Sequence, residues 1–100
     1  MPRLLDKEEI TRQLGDLDSW SGDTQALRRT VKAKDFPTAI RIVDEVAEIA
    51  EKMNHHPDID IRWRNLEFAL VTHSEGGVTQ YDVELAHRID EVVRAHEQSS

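Results

Sequence analysis

The chain has no cysteine among its 100 residues. Disulfides, thiolate metal ligands and cysteine nucleophiles are therefore excluded together, and any bound metal would need histidine and carboxylate ligands. A glycine-rich phosphate-binding loop is also missing. Gly76 and Gly77 have neither the spacing nor the following lysine of such a loop. We accordingly expect neither thiol chemistry nor a nucleotide-binding loop.

Long hydrophobic runs are absent as well. The N-terminal stretch Met1–Asp6 has no apolar run long enough for a signal peptide. No part of the chain approaches the roughly 18 apolar residues that a membrane-spanning helix needs. The expectation is a soluble, cytoplasmic protein without a membrane partner.

The chain has fewer basic than acidic residues. Lysine and arginine number 13 against 20 aspartates and glutamates, which gives a formal net charge of −7. Nucleic acids are polyanions and would be repelled on average, so no nucleic-acid partner is expected. With 38% hydrophobic residues, the chain is long enough for one modest core and too short for two, which predicts a single domain over residues 1–100.

The first third of the chain predicts a helix followed by a hairpin. Asp6 and Glu9 form a capping-box pattern before a helix over about residues 7–15. In residues 20–34, turn chemistry at residues 21–23 precedes an alternation of apolar and basic residues. That alternation is typical of a β-hairpin with one buried face and a solvated basic face.

A longer helix follows. Asp35 is suited to the N-cap and Pro37 to the first turn, and apolar residues then recur every three or four positions over about residues 36–54. The helix is expected to end before Pro57, because a proline disfavours the α conformation of the residue that precedes it.

After Pro57 the pattern returns to strands. Apolar and polar residues alternate up to Trp63 and again from Leu66, with a turn predicted at residues 64–65 and with His73 at the end of the second strand. A flexible loop is predicted at residues 74–77.

A last amphipathic helix completes the pattern. It begins at a second capping-box pattern, formed by Thr79 and Asp82. The resulting order α-β-β-α-β-β-α predicts an α+β fold, a four-stranded antiparallel sheet with three helices packed on one face. The other face and the edges of the sheet would need covering, which predicts self-association.

Titratable groups cluster where the long helix ends. Glu51 and His55 are four residues apart, which places them on one helical face, and His56 follows immediately before Pro57. Histidine has an unperturbed pKa of about 6.5, so it can act as acid or base near neutral pH. The pattern indicates a proton-transfer site, and the alternative is an exposed Glu–His pair without catalytic consequence. His73 favours a proton-transfer site if the end of its strand lies next to the end of the long helix.

Two other residues have competing structural interpretations. Trp63 fits the apolar core, although an aromatic ring so soon after the histidines could also stack on a flat heterocycle. Asp82 fits a purely structural role as the capping partner of Thr79.

Taken together, these residues resemble the signature of a known family, the pterin-4a-carbinolamine dehydratases. The signature reads Glu51, three residues, His55-His56-Pro57, five residues, Trp63, nine residues, His73, eight residues and Asp82. The likeness extends in the same order to Lys34-Asp35-Phe36, Thr72-His73, Gly76-Gly77 and residues 82–86. Tryptophan replaces the commoner tyrosine at position 63, and Val31 and Ala33 stand where relatives often have aromatics.

The resemblance implies a small α+β domain, often a homodimer or homotetramer. Such proteins dehydrate 4a-hydroxytetrahydropterins to quinonoid dihydropterins without a metal or bound cofactor, and so recycle tetrahydropterin beside an aromatic amino acid hydroxylase. The chemistry agrees with the residue types, because loss of water from a carbinolamine needs an acid and a base facing one small heterocycle.

The resemblance also implies a role for each residue of the signature. The implied catalytic residues are His55, His56, His73 and Glu51, and the implied substrate-binding residues are Pro57, Trp63 and Asp82. His55 and His73 would be the acid and base, His56 would bind substrate and relay a proton, and Glu51 would orient the histidines. Asp82 would hold a histidine or the pocket wall.

Two further functions are open. Relatives of this fold also serve as dimerisation partners of transcription factors or as assembly helpers, so a protein–protein interaction module is the main alternative. A zinc site formed by His55, His56 and His73 with water is the third hypothesis, although adjacent histidines seldom converge on one ion without strain.

Overall fold

The computed structural model describes residues 2–98, which form three α-helices, four strands and a short 3₁₀ helix. The elements are α1 (Lys7–Leu14), β1 (Ser21–Gly22), β2 (Leu27–Lys32), α2 (Phe36–Met53), β3 (Asp58–Arg62), β4 (Asn65–Leu70), the 3₁₀ helix (His73–Glu75) and α3 (Gln80–Gln98). This is the order α-β-β-α-β-β-α, and the predicted α+β fold is confirmed.

The strands form one antiparallel sheet in the order β1-β2-β4-β3, so β2 and β4 are central and β3 is an edge strand. One face is apolar and buried, as where Val31 of β2 lies opposite Leu66 of β4. The other face is polar and exposed, as where Thr30 lies opposite Glu67. The alternation in the sequence therefore separates the two faces of the sheet.

The first hairpin turns later than predicted. Ser21 and Gly22 form the short strand β1, and the chain reverses over residues 23–26. Asp23 stabilises the reversal, because its carboxylate accepts hydrogen bonds from the backbone N–H of Gln25 at 2.8 Å and of Ala26 at 3.3 Å. Asp23 is thus a turn residue as predicted, whereas Ser21 and Gly22 are not.

The capping box predicted for α1 is present. The Asp6 side chain accepts the Glu9 N–H at 2.9 Å, and Glu9 accepts the Asp6 N–H at 3.0 Å. Arg3 adds two hydrogen bonds to the same Glu9 carboxylate, at 2.9 and 2.6 Å. The bonds from Arg3, and then the one from the backbone of Asp6, lower the pKa of Glu9 to about 2.

The helices cover the apolar face of the sheet. Helix α2 packs along α3, and α3 contacts the central strands β2 and β4. The predicted apolar stripe of α3 is buried and consists of Val83, Ala86, Ile89, Val92 and Val93. Such burial contributes about 25 cal/mol per Å² of apolar surface removed from water. Within residues 2–98, no helix combines the length and the apolar character needed to cross a membrane.

A largely buried ion pair joins α3 to the sheet. Asp90 of α3 accepts a hydrogen bond from Nε1 of Trp20 at 2.7 Å and another from the guanidinium of Arg29 at 2.5 Å. The side chains of Arg29 and Asp90 are only 13% and 16% exposed. Arg29 is therefore an exception to the prediction that the basic residues of this hairpin are solvated.

Helix α2 is ended by a left-handed residue, Asn54, and not by Pro57 as predicted. Asn54 adopts the left-handed conformation, with φ 52° and ψ 44°. The N–H of Asn54 bonds to the Glu51 carbonyl at 3.2 Å and the N–H of His55 to the Ala50 carbonyl at 3.0 Å, the two bonds of a Schellman motif. Asparagine is one of the few residues that adopt this conformation routinely. Asn54, three residues before Pro57, thus terminates the helix.

Trp63 lies on the surface, so the interpretation as a core residue is wrong. Its side chain is 67% exposed. Arg62 pairs with Asn65, which leaves Trp63 and Arg64 as a two-residue turn in which Trp63 has φ 56°. The guanidinium of Arg64 lies over the indole at 4.8 Å. The turn thus begins one residue before the predicted position.

We expect Asp90→Ala to lower the free energy of unfolding by about 3 kcal/mol, because it leaves the Arg29 guanidinium largely buried without its partner. The double variant Arg29→Met/Asp90→Leu removes both charges and should lose less. Urea denaturation of both variants measures the difference. Equal losses would show that the unpaired charge is not the cause.

We expect Asn54→Ala to cost about 1 kcal/mol, because alanine is strained in the left-handed conformation, whereas Asn54→Gly should be nearly neutral. Thermal or urea denaturation compares the two variants with the parent protein. If alanine and glycine are tolerated equally, the backbone conformation at this position does not limit stability.

Candidate active site

The carboxylate of Asp82 is the centre of a buried polar network. Its Oδ1 atom lies 2.5 Å from Nε2 of His55. Its Oδ2 atom accepts hydrogen bonds from Oγ1 of Thr72 at 2.8 Å and from the backbone N–H of Thr79 at 2.9 Å. The Asp82 side chain has 0% exposed surface, and a buried charge without such partners would be strongly destabilising. The network therefore joins the end of α2, the segment after β4 and the start of α3.

The network also determines which threonine hydroxyl donates. Thr72 has one O–H, which it donates to Asp82, so in the 2.7 Å contact between the two Oγ1 atoms the donor is Thr79. Oγ1 of Thr79 in turn accepts the backbone N–H of Tyr81 at 3.3 Å. Thr79 thus accepts a backbone N–H of the first turn of α3, and its own N–H is bonded to Asp82. These bonds confirm that Thr79 and Asp82 cap α3.

The same carboxylate selects the tautomer of His55. An ionised carboxylate only accepts hydrogen bonds, so Nε2 of His55 carries the hydrogen that points to Asp82. In a neutral imidazole the other nitrogen, Nδ1, then has a lone pair. Among residues 2–98, Nδ1 of His55 has no hydrogen-bond partner. This arrangement suits a general base.

His55 reaches Asp82 because the chain reverses after α2. With Asn54 in the left-handed conformation, the next residue leaves the helix axis, and only 9% of the surface of His55 is exposed. The prediction that Glu51 and His55 pair on one helical face is therefore wrong. His55 lies outside the helix, and its carboxylate partner is Asp82.

His56 is the histidine that Glu51 contacts. Nε2 of His56 lies 2.6 Å from Oε2 of Glu51. The two side chains are 57% and 77% exposed, so the pair adds little to stability. The pair nevertheless gives the site a second imidazole with a carboxylate partner, at the boundary with solvent and next to the buried His55.

His73 opens the 3₁₀ helix instead of ending a strand, because β4 stops at Leu70. Thr72 and Gly77 close the loop at its base, with the Thr72 N–H bonded to the Gly77 carbonyl at 2.9 Å. The hydroxyl of Thr72 is at the same time bonded to Asp82. His73 is exposed and directly follows this anchor. The segment after β4 thus reaches Asp82 through Thr72, the residue before His73.

The loop after His73 depends on its two glycines. Gly76 has φ 75°, a conformation that favours glycine. A Cβ atom on Gly77 would lie 2.7 Å from the Thr24 carbonyl oxygen, which also accepts the N–H of Val78 at 2.9 Å. The loop predicted to be flexible is therefore a closed, hydrogen-bonded turn.

Two residues that contact the network were not assigned to the site from the sequence. One is Thr72, and the other is Tyr81, whose ring centroid lies 5.8 Å from that of His55 at an interplanar angle of 51°. Tyr81 is 47% exposed. Its position just before Asp82, on the first turn of a predicted helix, was the one available signal.

Trp63 is not brought to the histidines within one chain. His56 and Pro57 precede β3, whereas Trp63 follows it. Strand β3 has five residues, and at about 3.3 Å per residue its first and last Cα atoms are about 13 Å apart. Pro57 connects His56 directly to the start of this strand.

The histidines do not form a metal cluster in the described part of the chain. Residues 2–98 contain no group of three or more histidine, aspartate or glutamate side chains that could hold a metal ion. His55 and His56 instead direct their Nε2 atoms to separate carboxylates, Asp82 and Glu51. Cavities of about 510 Å³ on the polar sheet face and about 760 Å³ beside α1 are lined by other residues.

Sequence comparison matches the chain to one family. The family model described as pterin 4 alpha carbinolamine dehydratase matches residues 3–92. A Nocardia farcinica protein named among the pterin-4-alpha-carbinolamine dehydratases is 53% identical over 91 residues, which cover 91% of this chain and 96% of that protein. A Mycobacterium tuberculosis protein named in the same group is 49% identical over 87 residues, which cover 87% and 93%.

Structure comparison gives a close and a more distant match. A crystal structure from Brucella melitensis, described as a transcriptional coactivator/pterin dehydratase, matches with a TM-score of 0.88 and 33% identity over 91% of this chain and 99% of that chain. A pterin dehydratase-like protein described as a RuBisCO assembly factor in the alpha-carboxysome has a TM-score of 0.61 and 17% identity, over 74% and 86%, and shares the fold alone. With its model matched from residue 3 to residue 92, the chain belongs to the pterin 4 alpha carbinolamine dehydratase family.

Proposed function

We propose that this protein dehydrates a 4a-hydroxytetrahydropterin to quinonoid dihydropterin and water. The observation that carries the proposal is the pair in which the buried Asp82 carboxylate holds His55 with Nδ1 free. Family membership suggests the substrate class. A fold hosts several functions, so the geometry of the site is needed to support a reaction.

The reaction requires an acid and a base on one small heterocycle. A base removes the proton from N5, and the electron pair of that N–H bond forms the C4a=N5 double bond. The C4a–O bond breaks, and the hydroxyl accepts a proton and leaves as water. One proton is removed and one is donated, so the enzyme returns to its starting protonation after exchange between its groups.

His55 is the proposed base. Its free Nδ1 accepts the N5 proton, and the Asp82 carboxylate at Nε2 stabilises the imidazolium that results. The carboxylate of a Ser-His-Asp triad supports its histidine in the same way. Burial of Asp82 strengthens this interaction, because electrostatic effects are larger where water is excluded.

His73 is the proposed acid, and His56 the proposed substrate-binding and relay imidazole. Support for His73 comes from Thr72, its neighbour, which is bonded to the same carboxylate as His55. Support for His56 comes from its exposed contact with Glu51, a position from which protons exchange readily with water. Two imidazoles suffice for both proton transfers, and no metal or cofactor is assigned a step.

The proposed setting is tetrahydropterin recycling in the cytoplasm. A 4a-hydroxytetrahydropterin arises when a tetrahydropterin-dependent hydroxylase transfers one oxygen atom to its aromatic amino acid, so such an enzyme is the proposed source of substrate. A homodimer or homotetramer is the proposed assembly.

A protein-interaction function is the second candidate. It is favoured by the Brucella melitensis structure, whose description names a transcriptional coactivator as well as a pterin dehydratase. Binding to a partner protein would not require a free Nδ1 on His55. An interaction that survived replacement of His55, His56 and His73 would therefore support this function independently of the reaction.

Purified protein should accelerate the dehydration of a 4a-hydroxytetrahydropterin. His55→Ala and His73→Ala should each lower kcat by about 10²–10⁴, the usual contribution of one positioned proton transfer. His87→Ala, which changes an exposed histidine on α3, is the matched control and should retain the parental rate. Stopped-flow absorbance measures the rates, and circular dichroism checks the fold. Parental rates in both site variants would end the proposal.

Asp82→Asn tests the tautomer of His55. The amide can donate to Nε2, which would move the imidazole hydrogen to Nδ1 and remove the base. We expect kcat to fall by about 10²–10⁴ while KM changes little. Nitrogen-15 NMR of the imidazole reports the tautomer directly. A variant with the hydrogen still on Nε2 and a parental rate would contradict the role of Asp82.

A further inference from the structure

Tyr81 is an exposed aromatic residue beside the buried histidine. Its ring centroid lies 5.8 Å from that of His55, and 47% of Tyr81 is exposed against 9% of His55. Aromatic rings in proteins pack with their centroids about 4.5–7 Å apart, so the two rings are in contact. The planes of the rings meet at 51°, so the imidazole does not stack flat on the phenol ring and covers at most one of its two faces. A flat guest can therefore reach Tyr81 from solvent.

The backbone of Tyr81 is fixed by the Asp82 network. The N–H of Tyr81 donates to Oγ1 of Thr79 at 3.3 Å, and the N–H of Thr79 donates to Oδ2 of Asp82 at 2.9 Å. The other oxygen of the same carboxylate lies 2.5 Å from Nε2 of His55. Bonds that meet at one buried carboxylate thus fix Tyr81 and His55 relative to each other. Such preorganisation lowers the cost of binding a guest between them.

The other exposed aromatic side chains lie away from His55 within the chain. Phe36 opens α2, and at about 1.5 Å per residue about 26 Å of helix separate it from Met53 at the other end. Trp63 is separated from the histidines by the whole of β3. The two remaining aromatic residues, Trp20 and Phe68, are buried in the core. The accessible aromatic surface next to His55 is therefore Tyr81.

We propose that Tyr81 binds the substrate of this site by stacking on the pyrimidinone half of a pterin, so that N5 of the same bicycle faces Nδ1 of His55. The identity of the guest rests on the proposed dehydration. Tyr81 then supplies the stacking surface for a flat heterocycle that the sequence analysis sought at Trp63. The electron-rich phenol ring suits the conjugated guanidine and amide atoms of that half of the pterin.

Both contacts are compatible with one orientation of the guest. A hydrogen bond requires the N5–H bond to point at the lone pair of Nδ1, and it leaves the twist between the two ring planes free. A pterin parallel to Tyr81 is inclined to the imidazole of His55 by the same 51°. Because N5 is bonded directly to C4a of the pyrimidinone ring, a bicycle stacked on Tyr81 presents N5 at its edge, towards His55.

Stacking on Tyr81 also favours the direction of the reaction. C4a is tetrahedral while it bears the hydroxyl group and becomes trigonal when the C4a=N5 double bond forms. The pyrimidinone ring therefore flattens as water leaves, and its contact with Tyr81 improves. An interaction that strengthens on the way to the transition state raises the rate of the chemical step.

Binding of 7,8-dihydrobiopterin tests the contact without turnover. This pterin has no 4a-hydroxyl group, so it cannot be dehydrated, and its pyrimidinone ring is planar. In isothermal titration calorimetry, Tyr81→Ala should raise the Kd of this pterin about tenfold, through the loss of one aromatic pair. Tyr81→Phe keeps the ring and should bind like the parent protein.

Phe36→Ala is the matched control. Phe36 is 46% exposed in the first turn of α2, and Tyr81 is 47% exposed in the first turn of α3. Phe36→Ala should bind the pterin with the parental Kd. A parental Kd in Tyr81→Ala would overturn the proposal, and so would a Tyr81→Phe variant that binds as weakly as Tyr81→Ala.

Kinetics and NMR separate contact with the substrate from an effect through His55. A stacking residue leaves the imidazole unchanged, so Tyr81→Ala should lower kcat/KM about tenfold with the His55 hydrogen still on Nε2. Stopped-flow absorbance measures the rates and nitrogen-15 NMR reports the tautomer. A hydrogen moved to Nδ1, together with a parental Kd, would show that Tyr81 only positions His55 and would overturn the proposal.

The stacking contact and the proposed function fail in different ways. If Tyr81→Ala dehydrates the substrate as well as an active parent protein, the contact is refuted and the function stands. If the parent protein binds 7,8-dihydrobiopterin through Tyr81 but does not accelerate dehydration, the function is refuted and the contact stands. A parent protein that does not bind this pterin overturns the contact whatever its activity.

Discussion

The Asp82 carboxylate lies at the start of α3 with 0% exposed surface, so protein donors must replace the water that it loses. The donors are the imidazole of His55, the hydroxyl of Thr72 and the backbone N–H of Thr79. None of these groups can move away without leaving a buried charge short of a partner. The histidine is therefore held in position by the fold itself, and the proposed reaction would benefit from this preorganisation.

One carboxylate performs two tasks because its two oxygens have different partners. Oδ2 accepts the donors from Thr72 and Thr79 and so stabilises the first turn of α3. Oδ1 binds His55 and sets the tautomer. Asp82 can consequently cap α3 and hold His55 at the same time. A capping residue is a convenient place for such a group, because it lies at a helix N-terminus, where negative charge is stabilised.

Periodicity was a reliable guide to the elements and placed the ends of α1 and α2 to within one residue, but it was a poorer guide to the ends of the strands. The stripes of α2 and α3 and the alternation in β2 and β4 were predictable, because burying one face is a requirement of any compact fold. The end of α2 was predicted to within one residue, but the left-handed conformation of Asn54 was not, because it depends on where the next residues are held. Trp63 was mistaken for a core residue, since alternation alone does not show where an edge strand stops. Arg29 was taken to be solvated because its partner Asp90 is 61 residues away.

By itself the sequence determined the order of helices and strands, the N-terminal caps and the residue types available for chemistry. These properties depend on neighbours within a few positions, so the local pattern contains them. Only the tertiary structure decided that His55 binds Asp82 and that Glu51 binds His56 instead. It also decided that the whole of β3 separates Trp63 from the histidines. Those outcomes depend on a single backbone reversal at Asn54 and on contacts between residues far apart in the chain, which no local pattern encodes.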